Sequence, residues 1–294
     1  MTRAGRLAAG LLFAAALLTG SATDGRRSSA SLVLGGYHVL AADFHVHMFP
    51  LGWSTLSPWD TVIEARHQGL DVIAMVPHNL VWPGKVGRWF SSLISGPIVI
   101  TGEEITAPDY HLLAVGVDES ISSRLPIIGA IEAVHGQGGV AIAAHPYENS
   151  WATFNTALGE LDATEVVRPE AQNTPRMAAQ LREFYTRARS AARPITAVGD
   201  SDYHGTGPMG YSRTYVFARE KTVKGVLDAL RDGRTVVYDR DLVFGDPRMI
   251  QLAAAAGGLP NQTPEWPTPG AARTFSRLAT LVLLVGVLFL NRWD

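Results

Sequence analysis

The 294-residue chain contains no cysteine. Disulfide bonds and thiolate metal ligands are therefore excluded, and any bound metal must be held by histidine and carboxylate side chains. The absence of cysteine fits an exported protein, although many cytosolic proteins also lack this residue.

Charge is also scarce, and neither sign dominates. Charged residues make up 18% of the chain, and the formal net charge is −2 at pH 7. A general nucleic-acid-binding protein usually carries a basic excess, so nucleic acid is not an expected partner. The length suits one large α/β domain or two small ones.

Long apolar runs are few, and the first lies at the N-terminus. Within residues 1–22, two arginines precede the apolar stretch Leu7–Leu18, and residues 20–22 offer a small-x-small cleavage site. This pattern predicts a signal peptide, with an uncleaved N-terminal membrane anchor as the alternative. Residues 23–31 are polar and small, and the stretch 23–36 is expected to form a linker.

The second apolar run lies at the C-terminus. Residues 257–277 are rich in glycine and proline and predict another linker, and residues 278–290 form an apolar tail. The tail is shorter than the roughly 20 residues of a spanning helix. It is either a membrane anchor in which the flanking residues also enter the bilayer, or a helix docked on the domain. We expect an exported or membrane-anchored protein with its domain outside the cytoplasm.

Between the two linkers, in residues 37–256, predicted strands alternate with predicted helices, which is typical of a parallel sheet or barrel. The predicted strands are 37–42, 71–76, 97–101, 110–117, 140–144, 163–167, 195–198 and 211–217. The predicted helices are 58–68, 127–137, 176–191 and 222–232, and residues 80–96 are expected to form a loop with a short helix.

The stretch Asp43-Phe44-His45-Val46-His47 follows the first predicted strand. Side chains alternate between the faces of a strand, so His45 and His47 should point the same way and could bind one metal ion. Asp43 shares that face and is expected to orient a ligand from behind. A structural or merely exposed pair of histidines is the alternative.

Other histidines and acidic residues lie at the boundaries of predicted strands, mostly where strands end. They are His78, Glu103, His111, His145, Asp202 and His204. Parallel α/β folds build their sites at the carboxyl edge of the sheet. Imidazoles with hard carboxylates suit zinc, manganese or iron, so the sequence predicts a metal centre at this edge.

The motifs that contain these residues resemble, in order, those of the PHP superfamily, named for polymerase and histidinol phosphatase domains. They are Asp-Phe-His-Val-His at 43–47, Val-Pro-His-Asn at 76–79, Gly-Glu-Glu-Ile-Thr at 102–106, Tyr-His-Leu-Leu-Ala-Val-Gly at 110–116, Ala-His-Pro at 144–146 and Gly-Asp-Ser-Asp-Tyr-His-Gly at 199–205. The resemblance covers about residues 37–240. It implies a distorted seven-stranded α/β barrel that holds two or three divalent metal ions.

The resemblance also implies a ligand set. One metal would be held by His45, His47, Glu103 and Asp202. A second would be held by Glu103, His111 and His204, with Glu103 as the bridge, and a third would involve His78 and His145. The residues expected to be catalytic are His45, His47, Glu103, Asp202 and His204.

Two departures from the family pattern affect the third metal. Residues 48–52 supply no histidine or aspartate after His47, and Pro77 stands where many members have aspartate. The third metal is therefore short of ligands, and two metals are the expected minimum for activity.

The resemblance implies a phosphoesterase that acts on a small phosphate ester. Two metal ions can activate a shared water as hydroxide for in-line attack and neutralise charge on the phosphoryl oxygens. Arg168 and Arg213 are candidates for binding the substrate phosphate, with surface charge as the alternative. An apolar rim is expected from the tryptophans, or else packing or membrane contact; these are Trp53, Trp59, Trp82 and Trp89.

Two other functions remain open. Some exported PHP-like proteins resemble hydrolases of carbamates or carboxylic esters, and the same site could attack a carbonyl. Alternatively, Pro77 and the ligand missing after His47 suggest a non-catalytic, membrane-tethered binding module.

Overall fold

A computed structural model describes residues 5, 8–16, 32–50, 54, 56–169, 174–190, 195–205, 209–259, 277–280 and 282. Several predictions concern other parts of the chain. The proposed cleavage site, most of both linkers, Trp53 and most of the apolar tail lie outside the described residues. No helix among the described residues is long and apolar enough to cross a membrane.

The described strands form one mixed sheet. They are β1 Leu32–Leu34, β2 Tyr37–Val46, β3 Val72–Met75, β4 Ile98–Thr106, β5 His111–Val115, β6 Val140–Ala143, β7 Ala163–Val167, β8 Thr196–Gly199, β9 Thr214–Ala218, β10 Thr235–Asp239 and β11 Leu242–Gly245. Their order is β11-β10-β9-β2-β3-β4-β5-β6-β7-β8, and β1 pairs with β2. The helices are α1 Pro58–His67, α2 Trp82–Leu93, α3 Ile127–Gly136, α4 Trp151–Phe154, α5 Pro175–Arg189, α6 Val223–Arg231 and α7 Pro247–Ala255.

The sheet curls into a nearly closed barrel. Threonine hydroxyls of β9 and β10 connect these strands to β8, at the other end of the strand order: Thr214 Oγ1 donates to Gly199 O at 3.0 Å, and Thr235 Oγ1 donates to Ala197 O at 2.8 Å. A barrel-shaped α/β fold is therefore confirmed. The expected count of seven strands is not, because the sheet of the described residues has eleven.

Strand direction decides which residues meet at one rim. Strands β2, β3 and β4 are parallel, as are β6, β7 and β8, whereas β5 is antiparallel to both of its neighbours. The first residue of β5, His111, pairs with the last residue of β4, Thr106. A histidine that opens one strand therefore lies beside residues that close the others.

Several elements differ from expectation. Helix α2 has twelve residues where a loop and a short helix were expected, and β4 runs through the Gly-Glu-Glu motif to Thr106. Strand β1 lies within the stretch 23–36 that was expected to be a linker. Strands β10 and β11 and helix α7 were not predicted. The start of α1 is as predicted, because Ser57 Oγ accepts from Asp60 N at 3.2 Å with Pro58 at the first helical position.

Candidate metal centre

Glu104 lies at the centre of a ring of histidines. Its Oε1 is 2.8 Å from His111 Nδ1 and 3.1 Å from His145 Nε2. Its Oε2 is 2.9 Å from His78 Nδ1, 3.4 Å from His47 Nε2 and 3.6 Å from His45 Nε2. One buried carboxylate thus approaches five imidazoles, which suits a bridge between metal ions.

Asp202 completes the inner part of the ring. Its Oδ1 lies 3.1 Å from Nε2 of both His45 and His47 and 3.5 Å from His204 Nδ1. The rings of His47 and His204 stack with centroids 4.2 Å apart. The histidines predicted from the sequence therefore converge on one place.

Several buried atoms at this place make no hydrogen bond within the described part of the chain. They are Nε2 of His45, both ring nitrogens of His47 and Oδ1 of Asp202. Leaving buried polar atoms without a partner costs free energy. Asp202 Oδ1 lies 3.1 Å from Nε2 of both His45 and His47, so one cation could be shared by these three atoms.

Four groups of three side chains have donor atoms close enough to hold one ion. They are His45–His47–Glu104, His45–His145–Asp202, Glu104–His111–His145 and His47–His78–His204. All the donors are nitrogen or oxygen atoms, as zinc, manganese and iron accept. The residues present therefore fit divalent metal binding.

Glu165 supports the ring from behind and was not predicted. Its Oε1 lies 2.5 Å from His45 Nδ1, and its Oε2 accepts from the backbone nitrogen of His145 at 2.6 Å. A carboxylate on the far nitrogen of a ligand histidine fixes the tautomer and the orientation of the ring. Glu165 lies in β7, in a stretch with no family motif, so only the fold could reveal it.

Arg168 binds the acids of the centre. Its guanidinium forms an ion pair with Asp202 Oδ2 and lies 3.7 Å from Glu165 Oε2. The side chain is buried. It therefore holds two site carboxylates, a role different from the predicted one of binding substrate phosphate.

Arg213, the other predicted phosphate ligand, lies elsewhere. Its guanidinium donates to the carbonyl oxygens of Gly210 at 2.9 Å and Gln68 at 3.5 Å. It is buried among these backbone groups and steadies the loop that precedes β9.

Asp43 contacts backbone groups and no imidazole of a ligand histidine; one of these groups is the backbone nitrogen of His45, which donates to Asp43 Oδ1 at 3.2 Å. Its carboxylate accepts from the backbone nitrogens of Ser201 at 3.1 Å and Gly210 at 2.8 Å and from the Ser201 hydroxyl. These contacts anchor the loop that carries Asp202 and His204. The expectation that Asp43 orients a ligand directly is thus corrected, since Glu165 has that position.

The predicted bridge, Glu103, points away from the ring. Its Oε1 accepts from the backbone nitrogen of Ile121. Neighbouring residues of a strand face opposite sides, and both glutamates lie in β4. The structure therefore places Glu104, and not Glu103, at the centre.

The carboxylates of the centre create a negative electrostatic potential. Burial alone would lower the pKa of His45, but the carboxylates of Asp202, Glu165 and Glu104 raise it well above its usual value. For Glu104 and Asp202, burial acts to raise the pKa, but the contacts with histidines and, for Asp202, with Arg168 hold it well below the usual range. Burial lowers the pKa of His47 to about 4. A site with this charge favours cations.

Backbone strain is concentrated at the centre. His145, Asp202 and Asn79, which follows His78, have positive φ angles of 29°, 46° and 50°. Such angles are unfavourable for residues other than glycine and persist only where the surroundings enforce them. The fold thus holds two candidate ligands in strained conformations.

A cavity of about 140 Å³ opens beside His111 and His145. Its other lining residues include Asp109, Tyr147 and Ser150. The ring of Tyr147 stacks on that of His145, with centroids 6.1 Å apart. The cavity offers space for part of a substrate next to the candidate ligands.

No family model matches the sequence. An uncharacterised protein of Methanocaldococcus jannaschii is 28% identical over 134 residues, which cover 42% of this chain and 77% of that protein. Among solved structures, a two-domain protein from Bacteroides vulgatus that contains a predicted PHP-like metal-dependent phosphoesterase aligns with a TM-score of 0.58 at 23% identity. The alignment covers 77% of this chain and 72% of that one.

The two chains share a fold. The candidate ligands lie on strands of this fold or in the loops that follow them. The chemistry at the site rests on the side chains described above.

Proposed function

We propose that this protein is a PHP-type, metal-dependent hydrolase that cleaves a small phosphate ester. The convergence of five imidazoles on Glu104, with Asp202 opposite, carries the proposal. The fold shared with a protein containing a predicted PHP-like phosphoesterase supports it.

The ligand residues divide into an inner and an outer part. His45 and His47 are fully buried and face Asp202, whereas His78, His111 and His204 are partly exposed. Glu104 contacts both parts and would contribute ligand oxygens to ions held there. Bound divalent ions would supply Lewis-acid activation of water and neutralise charge on the phosphoryl oxygens.

The chain's own residues provide orientation. Glu165 fixes the ring of His45, Arg168 holds one oxygen of Asp202 and leaves the other for an ion, and Asp43 anchors the loop of Asp202. The cavity beside His111 and His145 would accommodate the leaving group of the substrate. Its volume of about 140 Å³ suits a small organic group.

The test is a comparison of substrates with the full chain, stripped by chelator and reloaded with zinc, manganese or iron. Nitrophenyl esters of phosphate, as monoester and diester, are assayed beside aryl carbamates and carboxylic esters. We expect turnover of a phosphoester, its loss in Glu104→Gln and its retention in Glu103→Gln.

Each alternative has its own outcome. If only carbamates or carboxylic esters are turned over, the proposed phosphoesterase is wrong, and the same site instead catalyses attack on a carbonyl carbon. Less than one metal ion per chain after reloading would favour the non-catalytic binding module.

A further inference from the structure

Helix α2 carries most of its large apolar side chains on its outer surface. Trp82, Trp89 and Leu93 are exposed by 49%, 62% and 62%, and Val86 is half-buried. At 3.6 residues per turn, these four positions fall within a stripe of about 60°. The exposed Lys85 borders the stripe.

The inner face of α2 consists mainly of small residues, Gly84, Gly87 and Ser91, together with Phe90, which is buried in the core. A side chain at Gly84 would meet the Met75 carbonyl oxygen at 3.3 Å, and one at Gly87 would meet the sulfur of Met75 at 2.2 Å. The helix therefore lies close against β3 and β4, and its large apolar side chains other than Phe90 point outward. A surface helix of a globular protein normally has the opposite arrangement.

The two apolar ends of the chain reach the neighbouring helix, α1, which packs against α2. Phe13 meets Trp59 of α1 edge to face, with ring centroids 5.1 Å apart. At the other end, Arg277 forms an ion pair with the buried Glu64 of α1.

Both terminal segments leave apolar side chains outside. Leu11 and Leu12 are each 63% exposed, although Ala16 of the same segment is buried. Leu278 and Val282 are 57% and 68% exposed, although Thr280 between them is buried. Each segment thus uses one face for contact with the domain and turns another outward.

We propose that the outer stripe of α2 and the two terminal segments form one surface that docks on a lipid bilayer. The stripe combines tryptophan with leucine and borders on lysine, the composition that favours the membrane interface. Exposed apolar patches of this kind mark interaction sites on soluble proteins. A bilayer is favoured over a protein partner because the described parts of both terminal segments, 8–16 and 278–280, belong to the two most apolar stretches of the sequence, Leu7–Leu18 and 278–290.

The first test is flotation of the full chain with vesicles of phosphatidylcholine and phosphatidylglycerol at a ratio of about 7:3. We expect the chain to float with the vesicles and the variant Trp82→Ser/Trp89→Ser/Leu93→Ser to partition about tenfold less. A matched variant, Ile128→Ser/Leu242→Ser/Val243→Ser, changes three exposed apolar residues on other elements and should float like the unmodified chain. Equal metal content and circular dichroism would show that both variants fold.

A second measurement uses the native tryptophans. Lipids brominated near the headgroup should quench the fluorescence of the vesicle-bound chain, and Trp82→Phe/Trp89→Phe should remove much of that quenching. Failure of the full chain to float would overturn the docking surface. Unchanged flotation of the α2 variant, or quenching unaffected by the phenylalanine changes, would remove α2 from it. None of these results depends on the proposed hydrolase activity.

Discussion

The Nδ1 atom of His45 lies 2.5 Å from Oε1 of Glu165, and both side chains are fully buried. This contact turns the other nitrogen of the ring, Nε2, toward Asp202 and Glu104. The two residues are 120 positions apart in the chain, so the orientation of the first candidate ligand depends on the closure of the barrel.

Replacing Glu165 by glutamine should weaken metal binding. The neutral amide cannot hold the His45 ring as strongly, and loss of such a contact typically costs about 10- to 100-fold in affinity. Competition with a fluorescent chelator measures the change. Glu160→Gln, at an exposed position, is the control and should bind metal like the parent; equal affinity in both variants would contradict the role of Glu165.

Metal binding should release protons. Although burial opposes it, the carboxylates of Asp202, Glu165 and Glu104 raise the pKa of His45 well above its usual value in the metal-free chain, which favours the protonated ring, whereas a metal takes the neutral form. Affinity should therefore rise with pH up to that pKa. In titration calorimetry at pH 7, the heat of metal binding should change with the ionisation enthalpy of the buffer in the direction of proton release. Identical heats in all buffers would refute the prediction.

Loss of Arg168 should destabilise the chain. Arg168→Ala leaves the buried carboxylates of Asp202 and Glu165 without their guanidinium, and breaking a buried pair in this way costs about 3–5 kcal/mol in the free energy of unfolding. Denaturant unfolding of the metal-free chain measures it. The exposed pair Arg176–Glu148 provides the control, because Arg176→Ala should cost less than about 1 kcal/mol. A similar small cost at Arg168 would argue against its structural role.

Gly102 allows β4 and β5 to approach each other. A side chain there would lie 2.3 Å from the carbonyl oxygen of Ala114, a backbone atom of β5. Gly102→Ala should therefore shift the strand that carries Glu104, lower the free energy of unfolding by about 1–3 kcal/mol and weaken metal binding. Gly129 in α3 is the control, because an added Cβ would have no atom closer than 3.8 Å. The free energy of unfolding of Gly129→Ala should therefore be equal to that of the parent or higher. Unchanged metal affinity in the Gly102 variant would contradict the prediction.

Sequence alone predicts the ligand histidines because they lie where strands end or begin. The prediction named Glu103 as the bridge, but the sequence does not distinguish it from Glu104, since both follow a predicted strand that ends at 101. In the structure the strand continues to Thr106, and one step along it changes the face. The pairing of β4 with β5, which brings His111 beside Glu104, decides the choice.

The supporting residues are harder to predict than the ligands. Glu165 and Arg168 approach the centre only because β7 lies between β6 and β8 in the closed sheet. Nothing in their local sequence separates them from ordinary charged residues. Asp43 was expected near the ligands from strand alternation, but its partners, Ser201 and Gly210, lie about 160 residues further along the chain.

The most direct test of the metal centre compares two neighbouring glutamates. The full chain, Glu104→Gln and Glu103→Gln are stripped by chelator, reloaded with zinc or manganese, and analysed for metal per chain by mass spectrometry. We predict at least two ions in the parent and in Glu103→Gln, and a loss of at least one ion in Glu104→Gln. Full metal content in Glu104→Gln together with loss in Glu103→Gln would contradict the account.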